Sequence, residues 1–213
     1  TEVRIDDSQD EVRLFGACVA IPNCDDEPFL LNVNFRVKIG VPGSAPTFVS
    51  NNDGGPSFGE GPAFNAVNRG KQSLVLDLKS DEAVKVYKEL ARGADVVVEA
   101  MRPGALARRG LGFDDLVKLN PKIVFCNISG YGMTGPYQNL PAHGIAFDTW
   151  AGIVTPGYDE EGYCYIPEHA SMGIHAGPLF GALGILAAVI RARATGRGCM
   201  LEIAQSDAAA YMD

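Results

Sequence analysis

At 213 residues, 46% of them hydrophobic and 21% charged, the chain has the composition of a packed globular protein and not of a disordered one. A formal net charge of −8 and a pI near 4.9 argue against nucleic acid or an anionic membrane as the main partner, since both reward a basic surface; a local basic cluster still leaves room for an anionic ligand. Cys18, Cys24, Cys126, Cys164 and Cys199 are odd in number and lack CxxC or zinc-type spacing, which suits reduced thiols, a cytoplasmic location and no metal site.

The chain opens on the charged TEVRIDDSQDE, where a signal peptide would place a basic end and an apolar run. Thr1 to Ile5 reads as the tail of a strand. From Asp6 to Pro62, Pro, Gly, Asn and Asp punctuate an irregular excursion in which LLNVNFRVKI alternates like a half-exposed strand. Residues 1–64 therefore form an N-terminal part with a partial strand and an irregular insertion, and residues 65–213 form the ordered core.

In that core, Arg69 to Lys71 makes a basic turn ahead of a strand at Ser73 to Leu78. Ser80 is placed to cap a helix over DEAVKVYKELARG, with acids in the first turn and Gly93 as terminator. Asp95 to Glu99 is the next strand, so strand, helix and strand predict a βαβ unit and a parallel sheet. Just past that strand, where a short helix begins near Pro103, Arg102, Arg108 and Arg109 offer cations to an anion such as a phosphate. Asp114 to Leu119 is a further short helix, stopped by Pro121.

The apolar run that begins at Ile123 breaks into a loop carrying Gly130, Gly132 and Gly135, as a buried parallel strand does when it delivers a loop to the carboxyl edge of a sheet. The three glycines match G-x-G-x-x-G. That fingerprint needs a helix opening at the loop to face a pyrophosphate, whereas Pro136 and Pro141 bracket a non-helical segment. From His143 the pattern is helical, followed by a turn at Pro156 to Gly162 and a long apolar helix over Ala170 to Ala194. Its length raises the question of a membrane span; Pro178, His175 and the glycines weaken that reading, and the cationic RARATGRG is an ordinary helix end. Cys199 to Ile203 is a last strand, and Ser206 is placed to cap a final helix.

Together, VNRGKQSLVLDLK, ADVVVEAMRPGALARRGLGFDDLVKLNPKIVFCNISGYGMTGPY and GALGILAAVIRARATGRGCMLEIAQSDAAA resemble the family III CoA-transferases, or CaiB/BaiF family, which also holds the α-methylacyl-CoA racemases. The resemblance runs from about Asn65 to Tyr211, with Thr1 to Ile5 similar to the family's second strand. It implies an α/β fold, a Rossmann-like parallel sheet flanked by helices with the irregular N-terminal excursion beside it. It also implies a cytoplasmic location, an interlocked homodimer or a heterodimer with a homologous subunit, and partners that are an acyl-CoA and a carboxylic acid. No cofactor is held permanently, CoA or acyl-CoA being substrate, and neither nucleic acid nor a membrane is expected. The family begins with a further strand and helix and continues into a second domain, so the chain is expected to be a fragment or a split subunit.

The resemblance assigns residues unevenly. Asn68, Arg69 and Lys71 stand where family members meet the nucleotide end of CoA. The family's E-N-F-R-P-G loop is here Glu99, Ala100, Met101, Arg102, Pro103 and Gly104, so Ala100, Met101, Arg102 and the downstream Arg108 are CoA-binding candidates. Gly130, Tyr131 and Gly132 are expected to shape the acyl pocket. In the transferases an aspartate at the start of the long helix attacks the thioester, and counting back from GILAAV places it at Gly173. Glu168 and Asp148 are the acids available instead. The racemases add a histidine, which falls on His143, with His169 and His175 as substitutes. The reading is CoA transfer between carboxylic acids; the alternatives are a non-catalytic CoA-binding subunit and an acyl-CoA racemase.

Overall fold

The computed structural model describes residues 11–17, 35–38, 74, 76–141, 144–168 and 171–212. Thr1 to Ile5, Asn68, Arg69, Lys71, His143 and His169 lie outside the described residues. A five-stranded sheet has the order β2 (Phe35–Lys38), β1 (Glu11–Ala17), β3 (Val96–Glu99), β4 (Val124–Ser129) and β7 (Cys199–Ala204). All neighbours pair in parallel except β1 with β2. The helices are α1 (Asp81–Arg92), α2 (Phe113–Leu119), α3 (Gly144–Ala151), α4 (Gly173–Thr195) and α5 (Gln205–Tyr211).

Alternation along the central strands sends side chains to two cores. Val97, Ile123 and Phe125 pack with Tyr87, Leu106, Leu111 and Leu116 on the side of α1 and α2. Val96, Val124 and Cys126 pack with Ile185, Ala188, Val189 and Ala192 of α4 on the other. This is the α/β fold expected, a parallel sheet with helices on both faces. Each fully buried large side chain, such as Phe125 at 2% exposure, contributes about 2 kcal/mol.

Ser80 caps α1 as its position suggests, its Oγ accepting the Ala83 N–H at 3.1 Å. The strand expected at Ser73 to Leu78 does not form among the described residues of that stretch. Asp77 begins a turn instead, taking the Ser80 N–H on its carbonyl at 2.9 Å and the Lys79 N–H on Oδ1 at 2.9 Å. The ladder position beside β3 belongs to β1, so the βαβ unit runs β1, α1, β3, while Leu76 and Leu78 join the core as buried coil. The helix expected near Pro103 is a succession of turns and one 3-10 turn, Ala107–Arg109. A two-stranded hairpin, β5 (Gly157–Tyr158) and β6 (Cys164–Tyr165), occupies the expected turn.

Helix α4 is long and apolar enough to cross a membrane by length and composition; it lies on β4 and β7, with 33% of its most apolar window buried inside the fold. It ends at Gly196, whose left-handed φ of 73° lets its N–H reach the Ala192 carbonyl at 2.8 Å. Ser206 is not the cap of α5. Strand β7 runs straight into the helix, Ala204 takes the capping position, and Ser206 lies buried in the first turn with its N–H on the Gly130 carbonyl at 3.0 Å.

Candidate functional site

Strands β3 and β4 are paired parallel with Glu99 opposite Asn127, so the loops that follow them leave the same edge of the sheet side by side. The loop after β3 is held from inside by Glu99. Its carboxylate is 4% exposed and accepts the Leu106 N–H at 3.3 Å. Burial raises its pKa to about 7, against the lowering effect of that N–H and of the Arg108 charge. Tyr87 lies on the same side, its hydroxyl pushed up by burial and by the charge on Glu99. On the outer side Met101, Ala105, Arg108 and Arg109 line an open depression. Arg108 donates to the Pro103 carbonyl at 3.2 Å and Arg109 to the Leu78 carbonyl at 2.8 Å. With exposed Arg102 these side chains form a cationic lip.

The loop after β4 is built differently. The Gly132 N–H donates to Ser129 Oγ at 3.0 Å, and the Met133 N–H donates to Glu202 Oε1 on β7. Gly132 has φ of 91°, and a Cβ there would lie 3.1 Å from Glu202 Oε1, so both backbone and space call for glycine. Tyr131 then meets α3 through edge-on rings, Phe147 at 6.2 Å and Trp150 at 5.3 Å, and Tyr137 joins Trp150 at 4.6 Å.

Helix α3 also reaches the head of α4. Asp148, fully buried, accepts the Gly173 N–H on Oδ1 at 2.6 Å and the Met172 N–H on Oδ2 at 3.2 Å. It therefore caps a 23-residue helix that has no capping side chain of its own. Gly173 has a steric reason to be glycine. A Cβ there would sit 2.7 Å from Phe147 Cβ and 3.2 Å from both Asp148 Oδ1 and the Gln205 carbonyl.

Of the residues named from sequence, the structure brings Met101 and Arg108 to the depression and leaves Arg102 exposed beside it, with Ala100 half-buried. Gly130, Tyr131 and Gly132 lie together at the end of β4, with Asp148 reached through the Phe147 ring. Glu168 is exposed on the segment between β6 and α4, and His175 is exposed on α4. Sequence reasoning missed Glu202 and the Tyr137 and Trp150 rings, and it read Glu99 only as part of a motif. The one signal for the rings was their crowding into a short stretch.

The CoA-transferase family III model matches residues 49–213. The chain is 33% identical over 144 residues to the acetyl-CoA:oxalate CoA-transferase of Acetobacter aceti, covering 68% of this chain and 37% of that one. It is 34% identical over 137 residues to the succinyl-CoA–L-malate CoA-transferase beta subunit of Chloroflexus aurantiacus, covering 64% and 34%. A crystal structure of a hypothetical protein from Mycobacterium tuberculosis superposes with a TM-score of 0.61 at 32% identity, over 68% of this chain and 41% of that one. The chain thus spans little more than a third of the length of the curated relatives it matches.

Proposed function

Because the chain belongs to CoA-transferase family III, we propose that the protein moves CoA between carboxylic acids, with an acyl-CoA and a free acid as substrates and no permanent cofactor. The observation that carries this reading is the pairing of β3 and β4, which sets a cationic loop next to a glycine loop at one sheet edge. Guanidinium groups at Arg102, Arg108 and Arg109 suit the phosphates of CoA, and the glycines leave room for the thioester. Asn68, Arg69 and Lys71 extend the same role toward the nucleotide end.

The nucleophile in this reading is Glu168, the exposed acid nearest in sequence to the head of α4; Asp148 is committed to two backbone N–H groups. The Glu168 carboxylate attacks the thioester carbonyl, the C–S bond breaks, and CoA leaves as thiolate from an acyl–enzyme anhydride. The thiolate then attacks the Glu168 carbonyl, giving an enzyme thioester and the free first acid. The second carboxylate attacks that thioester, releasing the thiolate again, which takes the new acyl group and regenerates Glu168. Incubation with an acyl-CoA and hydroxylamine should leave a modified Glu168 and an unmodified Asp148. Modification of neither residue overturns the assignment.

One observation favours a second reading, a CoA-binding subunit that works with a homologous chain. The head of α4 presents glycine at residue 173, and the carboxylate standing there is buried. One relative is itself named as a beta subunit, and a paired or interlocked dimer fits either reading. Enzymatic turnover by the purified protein alone excludes the second reading. A racemase would depend on His143, and a cytoplasmic setting is supported by the free thiols of Cys126, Cys164 and Cys199.

A further inference from the structure

The two loops at the active edge divide their chemistry sharply. Among the described residues, Arg102, Arg108 and Arg109 bring cations to the edge on the loop after β3. Between Lys122 and Arg191 the sequence contains no lysine and no arginine, whereas it contains Asp148, Asp159, Glu160, Glu161 and Glu168. That stretch includes the whole glycine loop, all of α3, the hairpin and most of α4. Within it Tyr131, Tyr137 and Trp150 form a contiguous ring cluster, and two of the rings are open to solvent, Tyr137 at 46% and Trp150 at 52%.

From this juxtaposition we propose that the acyl group handled here is an apolar one, aromatic or branched, and that the site disfavours dicarboxylic acyl groups. The inference rests on reading the glycine loop as the acyl side of the site. A second carboxylate brought against this wall would give up water and meet no guanidinium or ammonium group from it in return. It would also face the electron-rich surfaces of the rings, which repel an anion and favour stacking by an apolar or aromatic group. The names of the two relatives include the dicarboxylic oxalate, succinyl and malate groups beside acetyl, so the preference would set this protein apart from their use of dicarboxylic partners.

The test compares phenylacetyl-CoA with succinyl-CoA. Both carry the same CoA, so whatever the cationic loop contributes cancels. Phenylacetyl-CoA is expected to give a kcat/KM at least tenfold higher. Trp150→Ala should bring that ratio down toward one, and Trp150→Arg, at a position 52% exposed, should turn it in favour of succinyl-CoA, with the circular dichroism spectrum of each variant matching the wild type. Equal or better use of succinyl-CoA by the wild-type protein, or a ratio unmoved by both substitutions, overturns the inference. If neither thioester is turned over, the transferase reading fails, and the acyl preference is then decided by quenching of Trp150 fluorescence. At least tenfold tighter binding of phenylacetyl-CoA upholds the preference, and equal affinities overturn it.

Discussion

Glu99 and Asp148 are both buried carboxylates standing behind loops at one edge of the sheet, and they meet different donors. Glu99 receives one N–H at 3.3 Å and the distant help of Arg108, which do not offset the loss of water, so its proton is retained to near neutrality. Asp148 receives two N–H groups, one at 2.6 Å, from the first turn of a long helix whose dipole is positive at that end. Burial alone does not decide what an acid does; the donors facing it do. The cationic loop is thus backed by an acid whose pKa is raised to about 7, and the aromatic loop by one that ties α3 to the head of α4.

The largest effect that tests this contrast concerns stability against pH. Glu99 has a folded pKa of about 7, raised from its usual 4.5, so the fold binds a proton that the unfolded chain releases. The stabilisation is fully present below pH 4.5 and is lost as pH rises through 7, by about 3 kcal/mol on the linkage relation. Denaturant titrations of the wild type and of Glu99→Gln across pH 4 to 8 should differ by that falling slope; parallel curves break the comparison. Next in size, Asp148→Ala leaves two buried N–H groups without their acceptor and is expected to cost about 2 kcal/mol, read as a lower Tm. An unchanged Tm would mean that Asp148 is no such tie. The smallest effect is functional. Removing Arg102 and Arg108 together should raise KM for phenylacetyl-CoA and succinyl-CoA alike, roughly tenfold or about 1.4 kcal/mol. A change in the ratio of the two would show that the loops do not divide the ligand as described.

What could be read from the sequence was what depends on neighbours along the chain. The Ser80 cap, the end of α4 within RARATGRG and the run from β4 into glycines are local signals; the first and last appear where expected, and α4 ends at Thr195, one residue beyond the expected Ala194. The parallel sheet followed from the spacing of helix and strand. Among the described residues of Ser73 to Leu78 no strand forms, because the ladder position beside β3 is filled by β1 from far upstream, and no local pattern reports that competition. Gly173 is the sharper case. From sequence it is only the absence of an acid. The cause visible in the structure is a contact with Phe147 and Asp148, 25 residues earlier for the latter, and pairings over such distances are set by tertiary packing. The cationic lip was legible as a cluster of arginines, whereas the buried role of Glu99 depends on which way its strand faces.

Trypsin cuts after Lys122 and next after Arg191, so the glycine loop, Asp148, Glu168 and all three histidines leave the protein in one long peptide. A protease that cuts after glutamate divides that peptide at Glu160, Glu161 and Glu168. An adduct on Glu168 would block the last of these cuts and join Glu168 to His169 in the digest. The same composition therefore gives the adduct proposed on Glu168 a readable mark, a missed cleavage at that residue.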